Sequence, residues 1–135
     1  MARKGAEMSD TQGTVHWNEL MTKDVEAAKE FYAKVCGWSF TTAPMPFGDY
    51  TMGMANGAPV AGIMDMSGMP DADTTDPFWM TYIAVDDVDA AAAAVTAGGG
   101  MVENGPFDVP NVGRIAITRD PGGARIGIMT PAPDA

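Results

Sequence analysis

A chain of 135 residues with 46% hydrophobic and 19% charged residues can build one core, either as a single domain or as two half-domain repeats that share it. A net charge of -10 argues against a nucleic-acid binder or a protein docked on an anionic membrane, because both need a basic face. One His and one Cys exclude an intrachain disulfide and any metal site built from two imidazoles.

Residues 1–13 are polar, small and without period, and read as a disordered tail. Met1-Ala-Arg-Lys-Gly5 is basic, but no apolar stretch follows it, so it does not read as a signal peptide. No apolar run approaches a membrane span, and the location expected is cytoplasmic. Val15 to Met21 is a short strand. Asp24 caps a helix over Val25–Cys36, whose apolar face is Val25, Ala28, Phe31, Tyr32 and Val35. Gly37 suits the position just past the helix end, and Cys36 is expected as a buried small hydrophobe. Trp38–Thr42 is a strand, and residues 43–48 form a turn. Strands over Asp49–Met54 and Pro59–Met66 flank an Asn56-Gly57 hairpin turn. Residues 67–77 are a linker rich in Pro and Asp.

The pattern then restarts. Phe78–Val85 is a strand, and Asp87 caps a helix through the run Ala90–Ala97, ended by Gly98-Gly-Gly100. Strands follow over Val102–Phe107, Arg114–Thr118 and Ala124–Met129. Asp24-Val25 matches Asp87-Val88, and Gly37 matches Gly100 at the same offset, so both helices are expected to have one length. Gly62-Ile-Met64 matches Gly127-Ile-Met129. The simplest account is an internal repeat, with modules over 14–66 and 78–130. Each half is too small to bury its sheet alone, so the halves close on each other or on a second chain.

Between Lys34 and Arg114 there is no Lys or Arg, and ten acids in that stretch account for the whole net charge. They read as a solvated acidic face, or as a preference for neutral or cationic ligands.

The run Val15-His-Trp-Asn-Glu-Leu-Met-Thr-Lys-Asp24, continuing into Ala28-Lys-Glu-Phe-Tyr32 and Gly37-Trp38, resembles the vicinal oxygen chelate superfamily. So do Tyr82-Ile-Ala-Val-Asp-Asp-Val-Asp-Ala90 and Asp120-Pro-Gly-Gly123 in the second half. That superfamily includes glyoxalase I, bleomycin and fosfomycin resistance proteins and extradiol dioxygenases, and the chain looks closest to short bacterial proteins related to lactoylglutathione lyase. The resemblance implies an α+β fold of two βαβββ modules whose curved mixed sheet forms a half-open cup, and a homodimer. It also implies four metal-ligand places on cup-facing strands, which here fall at Trp17, Gly62, Met80 and Gly127. These residues cannot ligate a hard or borderline divalent cation, so no metal ligand and no cofactor is assigned.

Strand alternation puts Trp17, Glu19 and Met21 on one face and His16, Asn18 and Leu20 on the other. The expected ligand-binding residues are Trp17, Met21, Met64, Met80, Tyr82, Arg125 and Met129. The two glycines should leave space between them. Glu19 is the candidate catalytic residue: a carboxylate beside Trp17 and Met21 is desolvated and suited to general-base work, unless it pairs with Arg125 or with backbone amides. Three functions follow. The first is a metal-free binder of a flat or amphipathic small molecule. The second is a metal-independent lyase or isomerase that uses Glu19. The third is a divalent-metal lyase or dioxygenase of the same superfamily.

Overall fold

A computed structural model describes residues 9–45 and 48–133. The chain divides into two compact units, one of Trp17–Met80 and one of residues 9–16 with 81–133. The elements in chain order are β1 (Val15–Thr22), α1 (Val25–Cys36), β2 (Ser39–Met45), β3 (Gly48–Ala55) and β4 (Ala58–Asp65). They are followed by β5 (Phe78–Ala84), α2 (Val88–Ala97), β6 (Met101–Val109), β7 (Gly113–Arg119) and β8 (Arg125–Pro131). The strand order is β2-β3-β4-β1 in the first unit and β6-β7-β8-β5 in the second. In each, the first strand lies parallel to the last, and the rest is antiparallel. The repeat read from the glycine and cap spacing is therefore a βαβββ module used twice.

Both helices start where the acid caps place them. The Asp24 carboxylate accepts from the Ala27 N–H at 3.0 Å, and that of Asp87 accepts from Asp89 and Ala90 at 3.1 Å. Gly37 ends α1 in the left-handed region (φ 74°), and its N–H bonds the Ala33 carbonyl. Asn56 and Gly57 also have positive φ (54° and 80°), which is the pairing that a two-residue hairpin turn of this twist requires.

Several expectations need correction. The helices are unequal, with 12 residues in α1 and 10 in α2. Three successive glycines are poor helix formers, so α2 stops at the first of them, and Gly98 bonds back to Ala94. Most of the expected turn over 43–48 is strand instead, because β2 continues through Pro44 to Met45 and β3 begins at Gly48; residues 46–47 lie outside the described part. β2 is an edge strand of its unit, where a residue without an N–H is tolerated. The tail expected through residue 13 is ordered from Ser9: its N–H and hydroxyl both bond the Asp86 carboxylate, and the Gly13 N–H bonds the Ala84 carbonyl at 2.7 Å. Residues 1–8 lie outside the described part.

The core of the second unit is Val85, Val88, Ala116 and Ile128, with Ala91 and Val95 of α2 packed on it. In the first unit one row of side chains runs Leu20–Ile63–Thr51 across β1, β4 and β3, and all three are buried. Trp38 packs over Gly53, where an added Cβ would stand 2.6 Å from the indole. Tyr32 of α1 stacks on Trp38 at 5.3 Å. The rest of the expected apolar face of α1 is not buried, since Phe31 is 55% exposed and Val35 62%. Cys36 is exposed rather than buried, being the last residue of that same uncovered helix.

Ile63 is only 1% exposed, so Ile63→Ala leaves a void in the first unit. We expect it to lower unfolding free energy by about 2–5 kcal/mol. Urea titration should show a lower midpoint at unchanged slope.

Candidate functional site

The face of the first unit opposite the Leu20–Ile63–Thr51 row carries the next rows in register. Glu19 stands beside Gly62 and Gly62 beside Met52, while Met21 stands beside Met64. Trp17, Glu19 and Met21 do share this face, and His16 is exposed. Glu19 is 7% exposed and Met21 5%. The residue that organises the face is Tyr50 of β3. Its hydroxyl donates to Glu19 Oε2 at 2.7 Å and accepts from Trp17 Nε1 at 2.8 Å. A Cβ on Gly62 would collide with that hydroxyl. The Tyr50 ring thus crosses β4 to reach β1, and only a glycine at position 62 lets it pass.

The second unit repeats the arrangement with a different residue. Tyr82 of β5 pairs with Gly127 of β8, and its ring lies where a side chain at 127 would project. Met129 pairs with Ala84 and is 3% exposed. The expectation that the two glycines leave open space is therefore corrected: Tyr50 fills the gap at Gly62, and Tyr82 fills the gap at Gly127. Met80 is buried at 4% exposure.

Arg125 is engaged by Glu103. Its Nε donates to Glu103 Oε1 at 2.9 Å, and Arg119 Nε donates to the other oxygen at 2.9 Å. The Arg125 hydrogen bond holds the Glu103 carboxyl below its ordinary range. Partial burial opposes this, and Arg119 adds to it.

A hollow of about 400 Å³ in the first unit lies elsewhere, beside the first turns of α1. Lys29, Glu26, Asp49, Asp65 and Thr51 are among its walls, and Met64 is the one expected ligand residue that lines it. It is polar and sits away from Trp17 and Glu19, so it does not coincide with the face read from the sequence.

The four places where the resemblance would put metal ligands hold indole, thioether and two residues with no side chain. Among the described residues, no group of three or more His, Cys, Asp or Glu could hold a metal ion. The residues at these four places do not suit a hard or borderline divalent cation. The sequence reading missed Tyr50. Its signal was present in the alternation of Tyr50, Met52 and Met54 along β3, but using it required knowing that β3 and β1 flank β4.

The model of the Glyoxalase/Bleomycin resistance protein/Dioxygenase superfamily matches residues 14–128. The chain belongs to that superfamily. Among its relatives, "Putative glyoxylase CFP32" of Mycobacterium bovis is 44% identical over 124 residues, covering 87% of this chain and 45% of the relative. The "Anthracycline biosynthesis protein DnrV" of Streptomyces peucetius is 32% identical over 133 residues, covering 86% of this chain and 46% of the relative. The chain thus spans less than half the length of these relatives. Among solved structures, methylmalonyl-CoA epimerase of Mycobacterium tuberculosis superposes with a TM-score of 0.64 at 18% identity, over 93% of each chain. The hypothetical protein BH1468 of Bacillus halodurans C-125 gives 0.68 at 10% identity, over 91% of this chain and 97% of that one. At those identities the structural likeness speaks for the fold, which is the glyoxalase-like α+β fold of two βαβββ modules. No helix among the described residues is long and apolar enough to cross a membrane.

The Glu103 clamp has a consequence for pH. Its folded pKa lies below the ordinary 4.5, so its contribution to stability is present above that value. The contribution is lost as pH falls through the lower folded value. Glu103→Gln should flatten the acid limb of stability against pH, measured by urea unfolding at a series of pH values below 5 or so. An unchanged acid limb would show that the clamp adds nothing.

Proposed function

We propose that this chain binds a flat, neutral or cationic small molecule without a metal, on the first-unit face that carries Trp17, Tyr50, Met21 and Met64. It acts as a homodimer in the cytoplasm. One observation carries the reading: Trp17, Tyr50 and Glu19 form a hydrogen-bonded chain over Gly62, across the places where superfamily members with a metal keep first-module ligands. Indole and phenol rings offer flat stacking surfaces, and methionines an adaptable wall. Tyr82, Arg125 and Met129 are proposed as ligand contacts on the equivalent face of the second module. Two relatives are named for anthracycline biosynthesis, which makes a polycyclic aromatic scaffold the first ligand class to test. The net charge of -10 favours a cationic ligand over a polyanionic one such as a CoA thioester.

The burial of Glu19 favours a second reading, a metal-independent lyase or isomerase in which Glu19 takes a proton next to a carbonyl. Turnover that survives Glu19→Gln would remove it. A divalent-metal lyase or dioxygenase is the least supported reading, because of the donor types at positions 17, 62, 80 and 127.

The test is thermal shift and tryptophan fluorescence with an amino-sugar anthracycline and with methylmalonyl-CoA, each with and without chelator. The anthracycline should raise Tm and quench fluorescence whether or not chelator is present, and methylmalonyl-CoA should do neither. Binding of the CoA thioester alone, or binding abolished by chelator, would overturn the proposal.

A further inference from the structure

We propose that Tyr50 is the positioning residue of this face: its hydroxyl fixes Glu19 and Trp17 as one directional recognition unit. The inference rests on the reading above only in taking this face as the one that meets ligand.

The chemistry of the three groups leaves one arrangement. An indole N–H can only donate, so at 2.8 Å from Trp17 Nε1 the Tyr50 oxygen must be the acceptor. Its own single proton then goes to Glu19 Oε2 at 2.7 Å, which must be an acceptor oxygen. With Glu19 ionised, the order of donation is therefore Trp17 to Tyr50 to Glu19. The chain ends on a carboxylate that is 7% exposed, where a hydrogen bond to a charged group is stronger than a neutral one. Each link polarises the next, so the negative charge of Glu19 is felt at the Trp17 indole.

The backbone is arranged to allow this. β3 and β1 do not touch, because β4 lies between them. The Tyr50 ring spans the gap by lying over Gly62, where any Cβ would strike its hydroxyl. The side chain omitted at position 62 is thus the condition for the relay. Glu19 is held by a group from a different strand rather than by its own rotamer preference. The hydrogen bond from Tyr50 helps set the orientation of this carboxylate before any ligand arrives, which lowers the ordering cost of recognition.

The experiment follows the indole N–H resonances of the intact protein in ¹H–¹⁵N spectra. There are three tryptophans, and Trp17→Phe assigns the one that matters. In the native chain, Glu19→Gln should move the Trp17 indole resonance although the two residues share no direct hydrogen bond. In a Tyr50→Phe background the same Glu19→Gln change should leave that resonance where it is. The Trp38 and Trp79 resonances serve as the folding control. Gly62→Ala breaks the relay by a second route and should reproduce the Tyr50→Phe spectrum at Trp17. Anthracycline affinity should fall by about tenfold in Tyr50→Phe and by a similar factor in Glu19→Gln, the effect of losing a hydrogen bond to a charged group. A Trp17 resonance that responds to Glu19→Gln equally with and without the Tyr50 hydroxyl would overturn the proposal. If the native chain binds no anthracycline, the functional reading fails, and the resonance comparison still decides the role of Tyr50 by itself.

Discussion

A hydroxyl on one strand can hold a carboxylate and an indole two strands away only if nothing stands between them, and in this chain that constraint falls on position 62. The Tyr50 ring takes the space that a side chain there would fill. Everything distinctive about the first-unit face depends on that exchange. It leaves a gap at position 62 and fills it with a phenol that makes two hydrogen bonds. The second unit makes the same exchange at Gly127 with the ring of Tyr82, which comes from the paired strand. The two modules thus share one arrangement, glycine plus tyrosine, with the tyrosine supplied from different strands.

The acidity of the chain has a partly internal explanation. Asp87 caps a helix, Asp65 accepts from the Ser67 N–H, and Asp86 holds Ser9. Asp89 and Asp108 bind Arg114, and Glu103 bridges Arg119 and Arg125. Many of the acids in the stretch without Lys or Arg therefore serve turns, caps and exposed ion pairs, and such exposed pairs contribute little to stability individually. The summed negative field remains, and that field bears on which ligands approach.

Local signals in the sequence were legible to the residue. The Asp24 and Asp87 caps, the Gly37 stop and the Asn56-Gly57 turn each follow from the chemistry of one or two neighbours. The side assignment of β1, with Trp17 and Glu19 on one face and His16 outside, followed from a period of two. What stayed hidden depends on distant partners. The role of Tyr50 needs the β3-β4-β1 order and the register that sets Gly62 beside Glu19. The exposure of Phe31, Val35 and Cys36 was hidden for a related reason: a helix face shows in its spacing what it is able to bury, but not whether another element covers it. The end of α2 at Ala97 was legible from the three glycines, whereas the shared offset of Gly37 and Gly100 was wrongly read as one helix length, because the first of three glycines already stops α2.

The solvent-facing end of α1 gives the molecule a convenient chemical handle. Cys36 is the single thiol of the chain and is exposed. A maleimide dye or spin label should therefore attach once per chain without unfolding it, on the side chain next to Gly37. Preparations kept without reductant should accumulate covalently linked pairs through this sulfur, and an alkylated sample would be the proper reference for any measurement of self-association.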